Sequence, residues 1–246
     1  MTLRIAMWSG PRNISTAMMR SWENRSDATV IDEPFYAYYL AHTNTPHPMQ
    51  DEILASQPNK WQDVVRTLIS DVEQNSDSSD ISYQKHMTHH MLDDINLDWA
   101  NQVRHCFLIR DPAFVINSYI KKMPSVCSQD IGIERQYQLY QQLSEITGQD
   151  IPIIDSSDVL NNPQAVLSKL CDKLGITFSS AMLNWPQGPR SSDGVWAKHW
   201  YENVEASTGF AKYTAPKIVL TAKQQALAEE NNYFYQKLFN KRIKVE

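Results

Sequence analysis

Cysteine is scarce. The 246 residues hold three, Cys106, Cys127 and Cys171. That odd number, with no Cys-x-x-Cys spacing, excludes a disulfide framework and a cysteine-based zinc site. A reducing, cytoplasmic setting is expected. Long apolar runs are missing too: nothing approaches the ~18 residues of a membrane span, and Met1 to Trp8 lacks the apolar stretch of a secretion signal. Positive charge is not in excess. Twenty-three Lys and Arg stand against 28 Asp and Glu, a net charge of −5. That balance excludes a protein coating nucleic acid through bulk charge, so any anion must be held by a local cluster of donors.

What is present is core material. Apolar residues make up 42%, with 7 Trp, 11 Tyr and 7 Phe. This excludes a wholly disordered chain, and the length supports a core without disulfide staples. One domain over residues 1–246 is expected.

Strand-like and helix-like segments alternate. Leu3 to Trp8 is a short apolar run that breaks at Ser9-Gly10-Pro11, a buried strand entering a turn. Ile14, Ala17, Met18, Ser21 and Trp22 then fall at helical spacing. Ala28 to Ile31 is a second strand, stopped by Asp32-Glu33-Pro34. Trp61, Val64, Val65, Leu68, Ile69 and Val72 form an amphipathic stripe, and Asn75 to Asp80 a polar loop. Ile81 to Lys85 and Val103 to Ile109 are further strands, and Ile151 to Asp155 is a short one. Asp111 caps a helix with Pro112 at its first position. Helices also follow at Gly132–Ile146, at Asn162-Pro163 with Gly175 closing, and over Thr221–Asn240. Strands alternating with helices predict an α/β fold: a central parallel sheet in three α/β/α layers, with ligands at the carboxyl ends of the strands.

Two strand ends carry anion-binding chemistry. Ser9-Gly10-Pro11-Arg12-Asn13-Ile14-Ser15-Thr16 lies where the first strand meets the first helix. Unpaired N–H groups and positive partial charge at a helix start suit a phosphate, and Arg12 adds a forked donor. Asn13, Ser15 and Thr16 add uncharged donors. The loop lacks the Gly-Lys-Ser/Thr ending of a Walker A motif, and an ordinary N-cap is the competing reading. At the fourth strand, Arg110 stands at the sheet edge and Ser118 follows eight residues later, about two helical turns on. The pair could share a phosphate. Alternatively Arg110 pairs with an acid and Ser118 packs. Two anion sites on one sheet edge suit a nucleoside with phosphates at both ends.

These motifs resemble those of the sulfotransferases that use 3′-phosphoadenosine 5′-phosphosulfate (PAPS), enzymes of P-loop-like fold. Pro11 to Thr16 looks like the family loop Pro-Lys/Arg-Ser-Gly-Thr-Thr/Ser that grips the 5′-phosphosulfate. Arg110 and Ser118 match the pair that holds the 3′-phosphate. Arg190-Ser191-Ser192-Asp193-Gly194-Val195-Trp196 echoes a late Gly-rich nucleotide-binding loop, which adds Arg190, Gly194 and Trp196 to the implied donor site. Asp32-Glu33-Pro34-Phe35-Tyr36 matches a run in bacterial sulfotransferase-like proteins. Two departures stand out. Asn13 replaces the usual Ser, and Ile14 replaces the loop's Gly, which is expected to hold the backbone farther from the donor.

The resemblance implies transfer of a sulfuryl group from PAPS to a hydroxyl or amine of a small acceptor. No metal is expected, because basic side chains and helix N–H groups can meet the charge. Lys85 occupies the position of the family lysine that stabilises the bridging oxygen. Met87 stands where the family base, a His, would fall, so His89 or His90 is favoured as base, with His86 nearby. A surface cluster or stray metal patch is the competing reading of these histidines. Glu33 is a second candidate base, or else an ordinary cap or salt bridge. The aromatics at 35–39 and 196–201 line an acceptor pocket, stack on adenine, or pack in the core. Two other functions compete. A P-loop kinase or nucleotidase would use Asp32-Glu33 as a Walker B pair, and a non-catalytic nucleotide-binding module would have lost transfer. The expected partner is a small molecule, with no nucleic acid and no membrane.

Overall fold

A computed structural model describes residues 2–43, 47–70, 80–121, 123, 125–214 and 217–245. Most of the polar loop expected at 75–80, and Val72 of the amphipathic stripe, lie outside these residues. Five strands form one sheet: β1 Leu3–Ser9, β2 Ala28–Asp32, β3 Ile81–Met87, β4 Arg104–Ile109 and β5 Ile153–Asp155. Their order is β2-β3-β1-β4-β5, and every pairing is parallel. The chain moves from β1 to β2 on one side and from β4 to β5 on the other. The order therefore reverses next to β1 and β4, where a crevice opens beyond the strand ends.

Alternation along each strand feeds two cores. Ala6, Trp8, Phe107 and Ile109 face one side, and Ile5, Met7, Cys106 and Leu108 the other; all eight are fully buried. The second side is covered by α1 (Ser15–Glu23), through Met18, Met19 and Trp22, with α2 (Tyr36–Thr43) and α3 (Gln50–Ser56) beside it. On the first side α4 (Trp61–Ile69) contributes Val64, Val65 and Leu68. Then follow α5 (Pro112–Tyr119), α6 (Ser128–Ile131) and α7 (Ile133–Thr147). Short α8 (Ser156–Asn161) precedes α9 (Pro163–Leu174), which packs Val166, Leu167 and Leu170 into the second core. Two single-turn helices, α10 (Ala197–Trp200) and α11 (Glu202–Glu205), lead to α12 (Ala222–Phe239).

The helix boundaries follow from the capping chemistry in the sequence. The Asp111 carboxylate accepts from the Ala113 N–H at 2.8 Å, with Pro112 at the first helical position of α5. Asn162 caps α9 in the same way, and Gly175 ends it at φ 74°. Thr221 and Gln224 form a reciprocal capping box on α12. The aromatic run at 35–39, expected to line a pocket, stack on adenine or pack in the core, opens α2 at Tyr36. Among the described residues no helix is long and apolar enough to cross a membrane.

Candidate active site

Four of the five strands end on one cavity of about 530 Å³. The loop after β1 brings Arg12, Asn13, Ile14, Ser15 and Thr16. The end of β2 brings Glu33. From β3 and the turn beyond it come Lys85, His89 and His90. Arg110 follows β4, and Ser118 lies on α5. All of these line the same space.

The loop after β1 is held in an unusual path. Arg12 has φ 58° and Ile14 φ 55°, both left-handed. That conformation is expensive for a β-branched residue and natural for Gly. Ile14 thus adopts a backbone conformation that glycine reaches without strain. At the N-cap of α1 it supplies no side-chain cap, so the first N–H groups of the helix lack a side-chain acceptor. Asn13 is spent on structure, its amide donating to the Leu108 carbonyl at 2.7 Å and tying this loop to β4.

Two guanidinium groups converge here. Arg12 donates through Nε to the Ser118 hydroxyl at 3.1 Å, and Arg110 donates to the Arg12 carbonyl. Among the described residues neither forms an ion pair with a carboxylate. Burial lowers the pKa of both, and the Arg12 charge lowers Arg110 further. Asp155 and Asp111 act on Arg110 through space in the opposite sense, but among the described residues neither pairs with it. Two like charges facing a cavity without an ion-paired carboxylate suit an anion.

The other cation is treated in the opposite way. Lys85 is 1% exposed. Its Nζ donates to Asp32 at 2.8 Å, to Glu33, and to the Tyr201 hydroxyl at 2.7 Å. Asp32 and Lys85 are register partners on neighbouring strands, which sets them side by side. Burial opposes the Lys85 charge, but Asp32 and Glu33 outweigh it and hold its pKa well above the ordinary lysine value. Burial raises the Glu33 carboxyl pKa, with Lys85 opposing.

The histidines separate by strand geometry. His86 neighbours Lys85 along β3 and therefore faces the opposite side of the sheet. It stacks on Trp8 at 4.3 Å, contacts Gln84, and does not line the cavity. Burial depresses its pKa to about 3. His89 and His90 do line the cavity, and the Nδ1 of each is buried without a partner. His90 is sandwiched between Tyr36 and Tyr39. Burial depresses both, His89 to about 4, so both are neutral near pH 7.

Arg190, Gly194 and Trp196 also lie off the cavity, contrary to what the late-loop resemblance implied. Arg190 donates to the Pro186 carbonyl. The Gly194 N–H donates to Asp32 at 3.1 Å, and Trp196, 1% exposed, donates to the Tyr201 hydroxyl at 3.1 Å. This segment braces the Asp32–Lys85 cluster from behind. Asp32 and Glu33, weighed above as a Walker B pair, both hold Lys85. The sequence reading missed Asp130, Tyr119 and His47, which line the cavity from α6, α5 and the loop before α3; no motif flags them.

Comparison with known proteins now adds a family. A profile described as a sulfotransferase domain matches residues 3–241. The chain belongs to the sulfotransferase family. Two Arabidopsis thaliana relatives, branched-chain-amino-acid aminotransferase-like proteins 1 and 2, are 35% and 34% identical over 207 residues, 84% of this chain. The chain spans 36% of their length. Among solved structures, the sulfotransferase domain of a Synechococcus olefin synthase superposes with a TM-score of 0.52 at 17% identity, covering 94% of this chain and 95% of that one. A sulfotransferase from Alicyclobacillus acidocaldarius gives 0.55 at 10% identity, covering 99% and 98%. These likenesses establish the three-layer, P-loop-like architecture of this sulfotransferase member.

Proposed function

We propose that this chain transfers a sulfuryl group from PAPS to a hydroxyl or amine of a small acceptor, acting as one sulfotransferase unit over its whole length. One observation carries the reading: Arg12 and Arg110, with no carboxylate ion pair among the described residues, converge beside Ser118 and the open start of α1, at the crevice where strand order reverses. An adenosine with phosphates on both sides of its ribose fits such a donor set. Arg12 and the N–H groups of Ser15 and Thr16 would hold the 5′ end, and Arg110 with Ser118 the 3′-phosphate. Bound there, PAPS supplies an activated sulfuryl group whose leaving group is a stable phosphate.

The protein's own part is positioning and proton handling. Glu33 lines the cavity, and its raised pKa brings a carboxylate closer to the range of an effective base. It takes the proton from the acceptor hydroxyl. Lys85 fixes the Glu33 carboxylate, and Asp32 with Tyr201 fixes Lys85. This arrangement favours Glu33 over His89 and His90 as the base. Lys85 is a positioning residue before it is anything else, because its three donor directions are already used.

Thermal melting with 3′-phosphoadenosine 5′-phosphate (PAP), the donor without its sulfuryl group, tests the reading. PAP is expected to raise the melting temperature, and ATP with Mg²⁺ much less. No shift at millimolar PAP overturns the donor assignment. Stabilisation by ATP with Mg²⁺ alone would favour a kinase or nucleotidase. PAP binding without turnover of any acceptor would favour the non-catalytic module.

A further inference from the structure

The cavity has two electrically different ends. One carries Arg12 and Arg110. Elsewhere in the lining, Lys85 is the cation among the described residues besides the histidines, and Asp32 and Glu33 already hold it. Asp130 lines the part of the wall that holds His89, on whose charge it acts. Its carboxylate accepts from the Cys127 N–H at 2.8 Å and from the Tyr119 hydroxyl at 3.4 Å. Among the described residues it forms no ion pair. Two lining carboxylates, Glu33 and Asp130, thus stand beside one ammonium that Asp32, behind the lining, also neutralises.

Polar and aromatic groups on this wall add to the asymmetry. The Nδ1 atoms of His89 and His90 are buried without partners. A buried polar atom left unpaired is costly, so these two suit a ligand that hydrogen-bonds to them. His90 lies between the Tyr36 and Tyr39 rings, and Tyr39 also meets His89 edge-on. Carboxylate, neutral imidazole and aromatic ring together are the surroundings a protonated amine prefers. An anionic acceptor would face Asp130 and Glu33 with no unpaired lysine or arginine among the described residues of this part of the lining in return.

We propose that the acceptor is a small amino alcohol, its hydroxyl at Glu33 and its ammonium group received by Asp130, the free nitrogens of His89 and His90, and the rings of Tyr36 and Tyr39. The inference rests on the donor reading above, since it places the hydroxyl next to the donor's end of the cavity. The donor shares the space, which keeps the acceptor small.

Three alcohols matched along their chains test it: 5-aminopentan-1-ol, the uncharged hexan-1-ol and the anionic 6-hydroxyhexanoate. Each is titrated calorimetrically into the full chain saturated with PAP. The ammonium alcohol is expected to bind at least about tenfold tighter than hexan-1-ol, the scale of one charged hydrogen bond, with the carboxylate weakest. Asp130→Asn keeps an acceptor for the Cys127 N–H. It is expected to bring the ammonium alcohol to within about threefold of hexan-1-ol. The PAP-induced melting shift of that variant reports whether it is folded, and a Tyr119→Phe variant that leaves Asp130 charged keeps the preference. Equal binding of the three alcohols, tighter binding of hexan-1-ol, or a folded Asp130→Asn that keeps the preference overturns the proposal. A missing PAP shift in the parent instead strikes the donor reading.

Discussion

Arg110 and Lys85 both stand at the carboxyl edge of one parallel sheet, yet their surroundings are opposite. Lys85 is sealed off, and Asp32, Glu33 and Tyr201 consume its three donors. Arg110 feels the charge of a second guanidinium, Arg12, and among the described residues has no carboxylate in ion-pair contact, Asp155 and Asp111 acting only through space. A cation neutralised inside the fold is part of the scaffold. A cation held next to its own kind, facing a cavity, stores an affinity that only an incoming anion satisfies. The difference separates the residues that build this site from those that bind.

The comparison breaks first at Lys85. Lys85→Met leaves Asp32 and Glu33 buried without a counter-charge, and breaking such a cluster costs about 3–5 kcal/mol. Arg12→Ala and Arg110→Ala relieve like-charge repulsion and are expected to change stability by less than about 1 kcal/mol. Urea titration of the three variants decides it. Similar losses in all three would mean that Arg12 and Arg110 are scaffold too.

Glu33 belongs to both regions, being held by Lys85 and facing the cavity. Glu33→Gln is expected to lower turnover by at least about a hundredfold, within the usual range for removing a general base. PAP affinity should stay within about twofold. Loss of both together would make Glu33 a structural partner of Lys85 alone. The next effect in size lies at the other end of the cavity. Arg110→Ala is expected to weaken PAP binding by about 1.5–3 kcal/mol, the value of hydrogen bonds to a charged group. Calorimetry showing parental affinity would empty this end of its function.

Much of this division was legible in the sequence, and the unread part has physical reasons. The parallel sheet, the caps at Asp111, Asn162 and Thr221, and the places of Arg12 and Arg110 each at a strand end follow from local patterns: period, turn residues and strand ends. The pairing of Lys85 with Asp32 does not, because it depends on strand order. Only when β3 lies beside β2 do those two residues become neighbours. The inward turn of His86 was readable in principle, since it must oppose Lys85 across the sheet, but the cluster of histidines drew attention from that alternation. Asp130 carries no motif. Its place on the wall comes from how α6 folds over the strand ends. Arg190, Gly194 and Trp196 matched a motif in spelling while serving as a brace, because a short loop motif does not specify which way its side chains face.

Histidines remote from both ends give a control of intermediate size. Burial depresses His86 to about 3 and His105 to about 4. Each is therefore neutral in the folded protein where the unfolded chain would bind a proton. The stability they contribute is complete above pH 6.5, the ordinary histidine value, and is lost as pH falls toward those folded values. The slope is about 1.4 kcal/mol per pH unit for each fully engaged group. His105 accepts from the Trp8 indole at 3.1 Å and contacts the Ala100 carbonyl at 2.9 Å. Replacing it by Gln is expected to flatten the fall in melting temperature between pH 6.5 and 4. An unchanged slope would place the acid sensitivity in the cavity itself.

The smallest expected effect sharpens the binding end. At φ 55°, Ile14 holds the left-handed conformation that costs an L-residue roughly 1–2 kcal/mol. Ile14→Gly removes that strain. It also removes a half-buried side chain packed against the second core and adds the chain entropy of Gly, itself worth about 0.5–1 kcal/mol. These terms oppose each other, so the melting temperature should move by no more than a few degrees. PAP affinity is expected to hold or rise slightly, because the backbone at this position is already left-handed and the change removes only a side chain beside the helix start. A large gain in affinity would show that the isoleucine had been crowding the anion, and that the exposed donors of α1, more than Arg12 and Arg110, limit how tightly this end of the cavity binds.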